Sequence, residues 1–240
     1  MTHNTINQAM TGHVLIAGSS GTGKSYFAGG LFELLHKQKT PYVILDTKSQ
    51  NHLGIWIGKN RLKGLQLFRI FPDTNHTIEE YKKLLKKTPF LLCIPAGETD
   101  FDHLINEYKK ILKAVQNLRQ PRHVILEEAH HYCTSPQKAI PEMEWIAREG
   151  RGYKIWLWAI TQRIQSFPKD VWSNCMWTYA FHMRIPQDIK YLSALIPNFE
   201  TLNQDLQKYD VLLYSHLHEF TPPYVTIRAG EIKRRTQHLG

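Results

Sequence analysis

The stretch GSSGTGKS, Gly18 to Ser25, constrains this chain more than any other. It fits G-x-x-x-x-G-K-[ST] without a mismatch, follows the apolar run HVLIAG (13–18) and opens a helix-like segment, Ser25 to Lys37. Such a loop needs a strand to launch it and a helix to receive it. Gly18, Gly21 and Gly23 permit positive φ and turn backbone N–H groups inward, with Ser19, Ser20 and Thr22 completing the cradle. The helix N-terminus adds a favourable dipole for anions. Lys24 is placed to meet β- and γ-phosphates, Ser25 to ligate Mg²⁺ through its hydroxyl, and Tyr26 is grouped with the loop as a nucleotide contact. ATP and Mg²⁺ are the expected ligands.

The rest of the chain alternates short apolar runs with helix-like segments, the pattern of an α/β fold with a mostly parallel sheet flanked by helices. Strands are expected at 13–18, 42–46, 65–71, 90–96, 123–127, 153–160, 176–183, 211–216 and 224–229. Helices are expected at 25–37, 77–87, 102–119 and 141–148. Thr77 and Glu80 are spaced as a capping box, and Pro141 suits a first helical turn. The 240 residues, 42% hydrophobic, suit a single domain over 1–240 with an N-terminal extension (1–11) and a basic C-terminal tail (231–240). No uncharged apolar run approaches the roughly 18 residues that span a bilayer, and no secretory signal is evident. Three dispersed cysteines oppose a disulfide framework and point to a reducing compartment.

At RHVILEEAHHYC (122–133) an apolar run ends in two adjacent carboxylates, Glu127 and Glu128. Beside a triphosphate, an acid at the tip of a neighbouring buried strand holds the Mg²⁺ shell, and Glu127 suits that role. Along a strand the two side chains would point to opposite faces. Where the strand ends that alternation loosens, and Glu128 can turn to accept a proton from the attacking water. A solvated strand end is the alternative. The strand YKIWLWAI ends in TQR, so Gln162 is a candidate to sense the γ-phosphate or orient the water. Before it lies AREGRGYK, where Arg148 and Arg151 are candidates for an arginine finger; a surface ion pair with Glu144 or Glu149 is the alternative for either.

GSSGTGKS, VILDTKS, VILEEAHHY and AREGRGYKIWLWAITQRIQSFPKDVWSN, in this order, resemble successive blocks of the FtsK–HerA superfamily of ring-forming, DNA-pumping ATPases. The family's Glu-Gly-Arg turn, apolar strand, Thr-Gln-Arg, Pro, Val and Asn fall at Glu149–Arg151, Ile155–Ile160, Thr161–Arg163, Pro168, Val171 and Asn174. Glu127 stands where many relatives carry Asp, and Ile164 where many carry Pro. The resemblance implies a RecA-like (ASCE) P-loop NTPase that hydrolyses ATP between protomers of a ring, expected to be a hexamer. Arg151, or Arg148, would come from the adjacent subunit, and double-stranded DNA would be moved without sequence preference. With no N-terminal barrel, membrane segment or winged-helix domain, the bare motor resembles the genome-packaging ATPases of membrane-containing icosahedral viruses. That implies capsid or membrane-vertex partners and a place in the host cytoplasm or virion. A plasmid or cellular motor for conjugation or repair is the alternative within the superfamily. A nucleotide-binding switch or assembly protein with little turnover is the alternative outside it.

Lys and Arg outnumber Asp and Glu by 30 to 21, which accords with a polyanionic partner. Two basic segments, Lys59–Arg61–Lys63 and Lys233–Arg234–Arg235, are each candidates for DNA-phosphate contacts, with an ordinary solvated surface as the alternative. His130 and His131 are expected to pack beside the site or to hydrogen-bond rather than bind zinc.

Overall fold

The computed structural model describes residues 6, 8–136, 138–219 and 221–239. A nine-stranded sheet runs in the order β11-β10-β9-β1-β8-β5-β2-β4-β3. Its strands are β1 (Val14–Ala17), β2 (Tyr42–Leu45), β3 (Gln66–Ile70), β4 (Phe90–Pro95), β5 (Arg122–Leu126), β8 (Ile155–Thr161), β9 (Trp177–Phe181), β10 (Val211–Ser215) and β11 (Tyr224–Ile227). The seven strands from β9 to β3 pair in parallel; β10 pairs antiparallel with both β9 and β11. Cys133–Ser135 (β6) and Lys138–Ala139 (β7) form a separate two-stranded ribbon after the acids.

Strands buried on both faces read as unbroken apolar runs, and the two faces here form two cores. Leu15, Val43, Leu45, Val124, Leu126 and Leu157 face the helices α2 (Ile78–Lys87), α3 (Phe101–Leu118) and α4 (Pro141–Glu149), with α5 (Lys169–Trp172), α6 (Pro186–Ser193) and α7 (Phe199–Asp205) extending that layer. Val14, Ile16, Ile44, Ile125, Trp158 and Ile160 face α1 (Lys24–Lys37). That second face is completed by Ile6 and Ala9, both helical, and Met10 from the start, by Ile55 at the end of a 3₁₀ turn (Leu53–Ile55) and Leu65 from the connection after β2, and by Ile232 from the end. The segment expected as a basic tail thus runs over α1, and its Arg234 is buried.

The capping box at α2 is formed: the N–H of Glu80 donates to Thr77 Oγ1 at 3.2 Å, and the N–H of Thr77 to Glu80 Oε2 at 2.7 Å. Helical spacing puts Phe27, Leu31, Leu34 and Leu35 on one side of α1; Phe27, Leu31 and Leu35 are buried and Leu34 is partly buried against the same core. Helices α6 and α7 fall in a stretch where the sequence pattern predicts none.

Parallel pairing brings strand ends to one edge. Ala17 is in register with Thr161, and Leu126 with Ala159 and Leu45, so the loops after β1, β8, β5 and β2 all leave from the same side. The paired acids were expected on a strand neighbouring β1. Instead β8 stands between β1 and β5, so the strand ending in Gln162 separates the glycine loop from the acids.

Candidate active site

The loop between β1 and α1 wraps around its own lysine. Lys24 Nζ donates to the carbonyls of Gly18 at 2.7 Å and Ser19 at 2.9 Å, and Thr22 Oγ1 donates to Ser19 O at 2.7 Å. Gly21, at φ +75°, and Gly23 take the positive φ expected of the loop's glycines, whereas Gly18 does not and is required by close packing instead. Gly23 has φ +97° at the head of α1, and a Cβ there would lie 2.9 Å from the Tyr209 ring. A Cβ on Gly18 would come within 2.5 Å of Phe181 Cβ on β9. Burial lowers the Lys24 pKa to about 8 against the opposing pull of Glu128 and Glu127, with Lys48 adding to the depression. An anion placed in the loop would restore the proton's hold.

The paired acids are positioned by a break in the strand. The N–H of Glu127 still bonds Leu45 O at 3.1 Å, continuing the ladder. Glu128 then takes φ +48°, ψ +53°, a left-handed conformation that ends the strand and starts the short 3₁₀ turn Ala129–Tyr132. This is how consecutive carboxylates come to line one cavity rather than opposite faces. Both are buried, at 2% and 7% exposure. Each has a basic partner. His52 Nε2 contacts Glu127 Oε1, and Lys48 Nζ lies 3.0 Å from Glu128 Oε1. Glu128 Oε2 has no hydrogen-bond partner, although His130 Nδ1 stands 3.5 Å away. Burial and the neighbouring His131 hold the His130 pKa down at about 4, so its ring is neutral, and its Nδ1 is 3.2 Å from Thr161 Oγ1 at the tip of β8. Both adjacent histidines therefore pack beside the acids.

Asp46, at the tip of β2, organises the basic partners. Its carboxylate accepts from the N–H of Lys48 at 2.9 Å and the N–H of His52 at 3.2 Å, while Tyr108 Oη donates to its carbonyl at 2.7 Å. Asp46 is fully buried, and burial raises its carboxyl pKa.

A cavity of about 650 Å³ joins these parts. It is lined by Ser20, Gly21, Gly23, Lys24, Ser25 and Tyr26 of the loop and helix, by Glu127 and Glu128, by Gln162, and by Lys48. Beyond the loop it broadens between Phe181, Val211, Ile227 and Ile232, with Tyr209, Arg228, Gly230 and His238 around its mouth. Asp210 fixes that mouth, accepting from Arg228 Nη1 at 2.6 Å and from the N–H of Ala229 at 2.9 Å. Gly18, Ser19 and Thr22 shape the loop without lining the cavity wall.

Arg148 and Arg151 are not brought to this cavity. Arg148 pairs with Glu144 at 3.0 Å and approaches Asp170 at 3.8 Å. Arg151 is exposed in the turn before β8, and the seven residues of β8 place it about 23 Å from the loop edge. Asp46, Lys48, His52, Tyr209, Arg228 and His238 are site residues that sequence reasoning did not single out. Asp46 and Lys48 carried a usable signal, as they sit where VILDTKS leaves its strand. The other four have none in their local sequence.

Among the described residues no set of three or more His, Cys, Asp or Glu side chains forms a ready metal cage. Mg²⁺ does not need one: it binds through one or two carboxylates together with substrate phosphates. Ser25, Glu127 and the unpartnered Glu128 Oε2 on one cavity fit that donor set.

Residues 5–174 match the family model described as "Helicase HerA, central domain". The genome packaging NTPase B204 from Sulfolobus turreted icosahedral virus 2, in complex with AMPPCP, superposes with a TM-score of 0.67 at 17% identity, covering 91% of this chain and 98% of that one. VirB4 of Thermoanaerobacter pseudethanolicus gives 0.64 at 12% identity, covering 91% and 90%. The bacterial conjugative coupling protein TrwBdeltaN70 gives 0.63 at 10% identity, covering 96% and 88%. No curated protein matches in sequence.

Proposed function

The chain belongs to the HerA helicase central-domain family, and from that premise we propose that it is an ATP-driven motor that translocates double-stranded DNA, in the role of a viral genome-packaging ATPase. The observation that carries this reading is the convergence of the Gly18–Ser25 loop, two buried glutamates and Gln162 on a single cavity.

In the proposed cycle, ATP enters with its phosphates over the loop. Lys24 leaves the Gly18 and Ser19 carbonyls and takes up phosphate oxygens, which its flexible stem allows. Ser25 and Glu127 would hold Mg²⁺, which would offset charge on the phosphates. Glu128 accepts the proton of the attacking water, and Gln162 orients that water or reads the γ-phosphate. The apolar part of the cavity, between Phe181, Val211, Ile227 and Ile232, receives the base. Arg151 cannot reach its own site and is free of acidic partners among the described residues; it serves the neighbouring protomer's site in a ring. Arg148, engaged by Glu144, is the weaker candidate. Hydrolysis then changes how protomers contact one another and moves the duplex.

B204 is a genome packaging NTPase, which supports the packaging role, with capsid or membrane-vertex proteins as partners and the host cytoplasm or virion as location. The comparable superpositions on VirB4 and TrwBdeltaN70 favour conjugative transfer as the second reading. A capsid gene beside this one supports packaging; a relaxase gene supports transfer. Among the described residues no helix is long and apolar enough to cross a membrane. Glu128→Gln tests the chemistry: it keeps the side chain's shape but removes the base. The variant is expected to bind ATP and to lose 10²-fold or more of its turnover. Turnover at the wild-type rate would remove Glu128 from the role.

A further inference from the structure

The two basic segments, about 170 residues apart in the chain, meet in space. Asn60 Nδ2 donates to Arg235 O at 3.0 Å, and Gln237 packs on the backbone at Gly54, where any Cβ would collide with its carbonyl at 1.9 Å. Residues 231–236 alternate in and out: Ile232, Arg234 and Thr236 are buried, whereas Lys233 and Arg235 are exposed. Lys59, Arg61 and Lys63 are exposed beside them. Among the described residues none of these five cations is paired with a carboxylate. Of the acids beside these segments, Glu33 accepts the N–H groups of Arg235 at 2.9 Å and Thr236 at 2.7 Å, and Glu231 accepts the N–H of Arg228 at 2.7 Å.

We propose that Lys59, Arg61, Lys63, Lys233 and Arg235 form one surface that takes the phosphate backbone of duplex DNA. This rests on the motor reading above and adds where the duplex lies. Five unpaired cations on two hydrogen-bonded segments suit a regular polyanion read without base contacts. None of the large exposed hydrophobics, such as Phe71, Phe101 or Ile185, belongs to these segments, so the patch lacks the apolar anchor of a membrane-inserting surface.

The placement also links the patch to the nucleotide. Buried Arg234, between Lys233 and Arg235, donates through Nη1 to Ser25 O at 3.3 Å, in the first turn of α1. The same segment supplies Ile232 and His238 to the cavity. DNA bound on the patch therefore presses on the segment that closes the nucleotide site, and duplex-stimulated hydrolysis should require the patch.

The test is binding of a labelled random-sequence duplex between 50 and 200 mM salt, with ATPase measured in parallel. The wild type is compared with K59Q/R61Q/K63Q, with K233Q/R235Q, and with the charge-matched control K83Q/K86Q/K87Q on α2. Each lost phosphate contact makes the slope of log affinity against log salt shallower by about 0.9. The loop variant should lose about 2.7 of slope and the C-terminal variant about 1.8, with duplex stimulation reduced and DNA-free ATPase kept. The control should match the wild type. Wild-type slopes and stimulation in both patch variants, or equal losses in the control, overturn the proposal while leaving the motor reading intact. Binding to vesicles of anionic phospholipid but not to duplex assigns the patch to a membrane and also overturns it. A wild type that hydrolyses ATP without any response to duplex removes the motor reading itself.

Discussion

Replacing Lys48 with alanine separates the stability of this site from its chemistry. Lys48 Nζ is 3.0 Å from Glu128 Oε1, and its side chain is 54% exposed while that of Glu128 is 9% exposed. An ion pair with one solvated partner contributes about 0.2–1 kcal/mol. The turn itself does not depend on the side chain, because Asp46 bonds the main-chain N–H of Lys48. For a domain of this size the expected fall in Tm is therefore at most about 4 °C. The effect on chemistry has the opposite sign. The ion pair tethers Glu128 through Oε1, and to turn its open Oε2 toward the attacking water the side chain must give up that contact. Freeing it from a pair of about 0.2–1 kcal/mol should raise DNA-free turnover about 1.4- to 5-fold. The assay is steady-state phosphate release at saturating ATP, repeated in the Glu128→Gln background, where the gain should vanish because the two residues act through one contact. Turnover that falls in Lys48→Ala would refute this reasoning and place Lys48 on the phosphate rather than on the base.

Gly29→Ala tests the docking of the C-terminal segment: alanine normally stabilises a helix interior by about 0.5–1 kcal/mol, yet here its Cβ would lie 2.6 Å from the Arg234 guanidinium. Arg234 is held by Thr236, Gln237 and Ser25, so the segment must shift, and the variant should melt lower and be cut faster by protease beyond Arg228; a higher Tm would contradict the packing. Acid sensitivity should follow His13 and His123, whose pKa values burial lowers to about 4. His13 Nδ1 accepts from the N–H of Leu157, and His123 Nε2 is paired with Met10 O. The unfolded chain, with ordinary histidines, binds protons first, so stability is full above about pH 6.5 and falls as pH drops toward 4. Thermal melts at pH 7.5 and pH 5 check this, and equal Tm values would refute it.

What the sequence made legible was whatever local chemistry demands. A glycine-rich loop between a strand and a helix is specified by steric permission and helix polarity, both readable over eight residues. The buried parallel strands announce themselves as apolar runs. The exit of β5 needed one further idea, that alternation fails at a strand's end, and the left-handed Glu128 realises it. Sheet order was not legible, because nothing in β8 or β5 records which lies beside β1. The same holds for Tyr209, Arg228 and His238, which reach the cavity through tertiary packing of distant segments. Positively charged runs misled in one respect. Arg234 reads like Lys233 and Arg235, but strand-like alternation turns it inward to anchor the segment.

The most direct test is a structure determined with a nonhydrolysable ATP analogue and Mg²⁺. The triphosphate should lie over Gly18–Ser25, with Lys24 Nζ moved from the Gly18 and Ser19 carbonyls onto phosphate oxygens, and with Glu127 and Glu128 facing the γ-phosphate. A cavity without the analogue, or a triphosphate bound with Lys24 still closed on its own loop and the two glutamates turned away, would contradict the account.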